Sequence, residues 1–311
     1  MYFAYFWSGV SYNGVSPVIA RFLVWSVLIP TATYGWLFWF NPFVDTHRHD
    51  ALLRLLLMPL RCAARLPFST HRHSLLVEFK LLPLKDLFLI HSFGFAKRLS
   101  HPLHILSTQQ LFHTDYAMST HIVTHLHSRI NRFHVSFAAM LCLLEEDFGL
   151  SHRTFIVSDS VSLRALLLHR SLGALRAGVI GSVRALRSHV SVPAFYSLSV
   201  STALYVRARL RFGRSCLPVH RIKFAPCSLE CACGSGICDV DHVLLRCPLF
   251  AEARTRCCQE VNAIFGVDAH RTVFSVPYIL GELCAGKAFV VPLLAVFDDF
   301  LLSINNIFPL L

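Results

Sequence analysis

Charge is scarce in this chain, and acid is scarcest. Only 15% of the residues are charged, with 18 Asp or Glu against 29 Lys or Arg, while hydrophobic residues make up 54%. That balance is apolar even for a globular protein. No carboxylates are arranged for acid–base chemistry, since Glu145, Glu146 and Asp147 are adjacent at one helix end rather than facing each other. No lysine and hydroxyl complete the phosphate-loop interval of Gly173 and Gly178, where Val179 and Ile180 stand instead. His121 and His125 have the i,i+4 spacing of a helical metal pair, but Ile122 occupies the place of a zinc hydrolase's glutamate base. A stand-alone hydrolase or nucleotide-cleaving enzyme is therefore not expected. Strand runs with hairpin signals, internal repeats and low-complexity tracts are also missing, so the expected class is mainly α. Met1 leads into Tyr2, Phe3, Ala4, Tyr5, Phe6 and Trp7 without a basic n-region, so no secretory signal is expected.

What the chain has is cysteine, and it has it in one place. Eight of eleven cysteines fall between Cys216 and Cys258. A disulfide framework is not expected without a secretory signal. The core of the cluster reads Cys231-Ala232-Cys233-Gly234, followed by His242 and then Cys247-Pro248. Three thiols and one imidazole suit tetrahedral Zn²⁺, whose structural sites are commonly four-coordinate. The candidate ligands are Cys231, Cys233, His242 and Cys247, with Cys227 or Cys238 able to replace one of them. Gly234 and Gly236 let a short loop fold back over the metal. His242 and Cys247 are five apart, so they do not share one face of an ideal helix, and a helix must end or turn between them. Pro248 suits the first position of a new helix. Phe250, Ala253, Cys257, Val261 and Phe265 continue it at helical spacing, with Cys257 inward and Cys258 at the surface.

Basic residues gather just before this cluster. From Ser151 to Glu230 there are twelve Arg or Lys against two acids, which supplies a net +10 of the chain's +11. Arginine outnumbers lysine twenty-four to five, and guanidinium groups bind phosphate bidentately and stack on bases. The candidate phosphate contacts are Arg207, Arg209, Arg211, Arg214 and Arg221. An uncharged run from Phe22 to Val44 has the length of a bilayer span, but Pro30, Thr31, Thr33, Tyr34 and Gly35 interrupt its middle. A buried helix followed by a turn explains it as well. Ala288 to Phe297 is too short to span and stops at Asp298 and Asp299.

With a chain of 311 residues, one large domain or two smaller ones can bury a core. Residues 16–30 are expected to be helical from a Ser16-Pro17 start. So are 50–65, with Leu52, Leu55, Leu56 and Leu60 inward and Arg54, Arg61 and Arg65 outward. Leu75 to Lys80, Leu84 to Leu99 and Ser136 to Asp147 follow as helices. Arg164, Arg170, Arg176, Arg184 and Arg187 mark a basic amphipathic stretch. The expected fold is thus a helical region over 1–130, a basic helical connector over 131–205, a zinc-binding helical module over 206–268 and a helical tail over 269–311.

Several phrases also line up in order. Ser16-Pro17, Ala20-Arg21, Ile29-Pro30, Tyr34-Gly35 and Trp39 lead to Pro59-Leu60-Arg61, Leu66-Pro67, Glu78 and Leu82-Pro83-Leu84. Arg209-Leu210-Arg211-Phe212-Gly213-Arg214 then precedes the cysteine cluster, which closes on His242-Val243-Leu244-Leu245-Arg246-Cys247-Pro248 and Arg254. Over roughly 15–265, patchily, this resembles the C-terminal portion of reverse transcriptases of non-LTR (LINE-type) retrotransposons. The resemblance implies a thumb-like region followed by a zinc-binding segment that grips RNA or target DNA. One departure is Asp239, where the family usually has Thr ahead of the His, and it is expected to loosen a turn contact. Polymerisation also needs paired aspartates holding two Mg²⁺ ions, in this family after an aromatic and one further residue, upstream of the thumb. The adjacent pair here, Asp298-Asp299, follows the zinc module with Val296 at the aromatic place, and reads as a helix-face accident or cap. The chain is not expected to copy RNA alone.

Three functions follow as expectations. The first is a catalytically incomplete, zinc-dependent RNA- or DNA-binding fragment, nuclear or cytoplasmic, with a separate polymerase palm domain as a possible partner. The second is an integral membrane protein anchored by 22–44. The third is a decayed reading frame without selected activity.

Overall fold

The computed structural model describes residues 15–34, 46–88, 90–91, 192–197, 200–282 and 287–310. All regular elements among them are helical, and the lone extended pairing is an isolated antiparallel bridge between Glu230 and Ile237. The chain divides into two compact units. One comprises Met1–Leu28, Leu55–Leu81 and Leu175–Leu311, and the other Ile29–Arg54 and Leu82–Ala174. The helices expected at Ser136 to Asp147 and Ser162 to Ser188, most of Leu84 to Leu99, and the pairs His121/His125 and Gly173/Gly178 lie outside the described residues.

Helix α1 (Pro17–Leu23) starts as the sequence suggests. The Ser16 hydroxyl accepts from the Val18 N–H at 3.2 Å, and Pro17 takes the first position, where its missing donor costs nothing. The chain then widens into a π turn over Val24–Leu28, ahead of Pro30 in the helical turn Ile29–Thr33. A proline ring in a continuous α-helix clashes with the carbonyl four residues earlier, and an inserted wide turn relieves such a clash. Helix α2 (Thr46–Ala63) carries Pro59 inside it and buries Leu53, Leu56, Leu57 and Leu60. Two expected placements are reversed there. Leu55 is exposed, and Arg61 is buried with its Nη2 donating to the Thr70 carbonyl at 3.2 Å.

Helix α3 (Arg72–Glu78) is short and buried from Ser74 onward, ending in the buried carboxylate of Glu78. Arg21 of α1 donates through Nε to the Phe79 carbonyl just beyond it, at 2.6 Å. Helix α4 (Thr202–Arg211) starts at Ser201, whose hydroxyl accepts from the Leu204 N–H at 3.2 Å. Ala203 to Ala208, Leu210 and Arg211 of α4 are all buried, so it runs through the core rather than along the surface. Helix α5 (Ala251–Phe265) buries Cys257 and Val261, as its spacing indicates.

Helix α6 (Lys287–Ile307) passes straight through Asp298 and Asp299, where the sequence suggested a stop. Its Val290–Ile307 stretch is long and apolar enough to cross a membrane by length and composition alone. Leu293, Phe297, Phe300, Leu301 and Ile304 are nevertheless 0–2% exposed and share one core with Val206 and Leu210 of α4 and Val261 of α5. That face packs into the protein core, while 39% of the whole stretch is buried. Residues 35–44 of the uncharged 22–44 run lie outside the described residues.

Candidate metal centre

The first ligand pair sits in a tight loop. The Cys231 N–H donates to the Gly236 carbonyl at 2.8 Å, and the Cys238 N–H to Leu229 at 2.8 Å, which closes the chain around residues 232–236. Gly234 sits at φ 71°, a left-handed conformation that a side chain would strain. The reversal turns both Cys231 and Cys233 toward one point. Cys231 is buried and Cys233 half-buried.

The second pair comes from an element that sequence spacing did not reveal. Residues His242–Arg246 form a π turn, in which the Cys247 N–H donates five residues back to the His242 carbonyl at 2.6 Å. An ideal α-helix cannot stack positions five apart, whereas a π turn does so. His242 and Cys247 are thereby brought onto one side. Cys247 ends the turn in an extended conformation, and Pro248 opens a 3₁₀ turn (Pro248–Phe250) leading into α5.

The four side chains converge. The Sγ atoms of Cys231, Cys233 and Cys247 and a ring nitrogen of His242 all lie within 4.8 Å of one another, so the quartet could hold a metal ion. The Cys231 and Cys247 sulfurs are 3.7 Å apart, and the Cys233 sulfur is 3.2 Å from His242 Nε2. A tetrahedral centre with metal–sulfur bonds near 2.3 Å has sulfur–sulfur edges of about 3.8 Å and sulfur–nitrogen edges of about 3.5 Å. Both observed edges are close to those values. Cys238 is buried beside Cys231 but outside the quartet, and the Cys227 thiol faces the Pro218 carbonyl at 3.5 Å.

Electrostatics separates the thiols. Hydrogen bonds from the Ser235 hydroxyl and backbone N–H hold Cys233 down to about 6. Burial pushes Cys247 up to about 11, and burial together with the neighbouring Cys231 pushes Cys238 to about 12. Crowded thiols resist collecting negative charge, and a bound cation removes that resistance. One cation is nearby: Arg254 of α5 donates through Nη2 to the Cys247 carbonyl at 2.6 Å, and burial pulls it below its ordinary range against the opposing pull of Cys247 and Cys258.

Asp239 corrects the sequence reading. Its Oδ1 accepts from the His242 backbone N–H at 2.6 Å, so it caps and tightens the turn that carries the imidazole. Partners that orient a ligand typically change metal affinity by 10–100-fold. Asp239→Ala is expected to weaken metal retention within that range, measured by competition with a chromophoric chelator, while Asp239→Asn keeps an acceptor and most of the affinity.

The five candidate arginines divide. Arg207 and Arg211 are each 1% exposed and point into the core, so they are withdrawn as phosphate contacts. Arg211 bonds Glu78 through Nε (2.6 Å) and Nη2 (3.0 Å), and reaches Glu282 and the Leu280 carbonyl as well. Burial opposes its charge, but Glu78 more than restores it, leaving the guanidinium above its ordinary range. Arg207 donates to the Ile279 carbonyl and pairs with Asp298. Burial pulls Arg207 down and pushes Asp298 up, each against the pull of the other. Asp298 is therefore no accident of a helix face but the counter-ion of a buried arginine. Tyr196 completes the group by donating to Glu78 at 3.1 Å. Arg209 and Arg214 are half-buried and Arg221 is exposed, so these three remain accessible.

No family model matches the chain, and no curated protein or solved structure matches it either.

Proposed function

We propose that the chain is a zinc-dependent nucleic-acid-binding fragment, catalytically incomplete, of the kind found at the C-terminal end of non-LTR retrotransposon reverse transcriptases. The observation that carries this reading is the joining of two features. A closed Cys₃His quartet stands directly after an acid-free basic segment, since Ser201 to Leu229 contains no Asp or Glu. Zn²⁺ suits that donor set, and four protein ligands leave no open coordination position, so the metal would hold the fold rather than activate water. Cys231, Cys233, His242 and Cys247 would hold it. Arg209, Arg214 and Arg221 would then neutralise phosphates of RNA or target DNA from the preceding segment. A polymerase palm domain supplied separately would be the partner that such a fragment serves.

Salt dependence tests the binding. Affinity for RNA or DNA is expected to fall steeply with ionic strength, because each neutralised phosphate contributes a slope of about −0.7 on single strands and −0.9 on duplex. Arg209→Ala, Arg214→Ala and Arg221→Ala should each flatten that slope by close to one such unit. A flat profile in the unaltered protein, or no binding at low salt, ends the proposal.

A further inference from the structure

Two segments of the compact unit that holds the quartet have a composition the metal does not explain. Arg65 to Val77 contains no acid, and neither does Ser201 to Leu229. Local bonds join these two segments. Arg209 donates through Nε to the Arg65 carbonyl at 3.2 Å, and Arg214 through Nη2 to the Ser69 carbonyl. Each bond uses one of a guanidinium's five N–H groups.

Aromatic rings alternate with these cations. The Arg65 guanidinium lies 4.2 Å over the ring of Tyr205, and that of Arg214 lies 4.8 Å over Phe224. Phe224 is 63% exposed, and Phe68, in the turn next to Ser69, is 73% exposed. His71 is held below its ordinary value by burial first and then by the positive neighbours His73, Arg72 and Arg214. Exposed phenyl rings beside Arg65, Arg209 and Arg214, which have no acidic partner among the described residues, suit a ligand that offers both flat apolar faces and negative charge. Nucleobases and phosphates supply both, and stacking accepts any base because every base has a π-face. In a duplex those faces are covered by neighbouring pairs, so only an unpaired strand can present them.

Resting on the nucleic-acid reading above, we infer that Phe68 and Phe224, flanked by Arg65, Arg209 and Arg214, form a stacking platform selective for single-stranded RNA or DNA. Phosphates lie along the arginines and bases lie on the two rings. Neither ring is part of the core, so their truncation leaves the metal quartet intact.

The test uses the zinc-loaded full chain and a short fluorescein-labelled oligonucleotide, alone or annealed to its complement, followed by anisotropy. Phe68→Ala and Phe224→Ala are each expected to weaken single-strand binding roughly 5- to 150-fold, with duplex affinity and metal content unchanged. Phe224→Trp should keep the affinity. Equal binding of both forms, indifferent to either ring, overturns the platform and leaves general nucleic-acid binding standing. Polyglutamate bound as tightly as the single strand also overturns it, by reducing the face to a charge patch. Binding of neither form at low salt removes both readings. Should an alanine variant fail to fold, photo-crosslinking of the unaltered protein to an iodouracil-containing strand decides. Adducts at Phe68 or Phe224 support the platform, and adducts confined elsewhere overturn it.

Discussion

Replacing His242 with alanine is expected to abolish metal binding and, with it, the cooperative unfolding of the unit that contains the quartet. In small fingers, structural zinc supplies apparent folding free energies of roughly 10–16 kcal/mol. The whole stability of a typical domain is only about 5–15 kcal/mol. Here the ligands are not appended to a finished core. Cys231 and Cys247 belong to the same buried cluster as Val206, Leu244, Phe250 and Phe297, so loss of the ion reaches well beyond the loop. Metal content by native mass spectrometry should fall from one ion per chain to none, and proteolysis should open the segment between Leu229 and Phe250. Cys238→Ser is the control, since Cys238 lies outside the quartet, and it should keep the ion. Equal metal content in the unaltered protein and His242→Ala removes His242 from the site.

The second large effect belongs to the buried charges. Glu78→Ala leaves Arg211 buried without its principal counter-ion, and such removal of one partner typically costs about 3–5 kcal/mol. Tyr196 loses its acceptor in the same variant. A double replacement by apolar residues, Glu78→Leu with Arg211→Met, is expected to recover much of that loss, because the desolvation of both charges disappears together. The exposed pair Arg256–Glu252 on α5 offers the contrast. Its groups are 62% and 94% exposed at 3.7 Å, and breaking it should change nothing measurable. Chemical denaturation of all these variants decides. A Glu78→Ala protein as stable as the unaltered one shows that Arg211 finds water or another partner.

How much of this was written in the sequence depends on the kind of signal. The four candidate ligands were legible as a cluster because metal binding demands particular donor atoms at short spacing, and Cys231, Cys233, His242 and Cys247 come together where they could hold a metal ion. The helical class and the inward face of α5 were legible from periodicity. The π turn was not, because a five-residue interval reads as a helix boundary unless the i→i+5 bond is known. Arg207 and Arg211 misled because charge clustering does not distinguish a solvated cation from a paired one. A usable signal did exist. The two arginines are four apart among Ala203, Leu204, Val206, Ala208 and Leu210, and Glu78 interrupts an apolar run from Leu75 to Phe79. Lone opposite charges inside two apolar runs suggest each other as partners, since neither can be buried alone. Asp298, inside the apolar stretch of α6, follows the same logic.

That wiring bears on where the protein can be cut. The contact between Glu78 and Arg211 spans 133 residues of chain, and a border at residue 206 would fall inside α4. A peptide starting there would keep all four candidate metal ligands, yet it would carry Arg211 without Glu78, while Arg207 keeps Ile279 and Asp298. During synthesis, likewise, Glu78 leaves the ribosome long before Arg211 exists, so this ion pair forms only once the last third of the polypeptide is made. Minimal versions of the metal-binding portion should therefore be excised together with residues 55–81, by grafting the two stretches rather than trimming one.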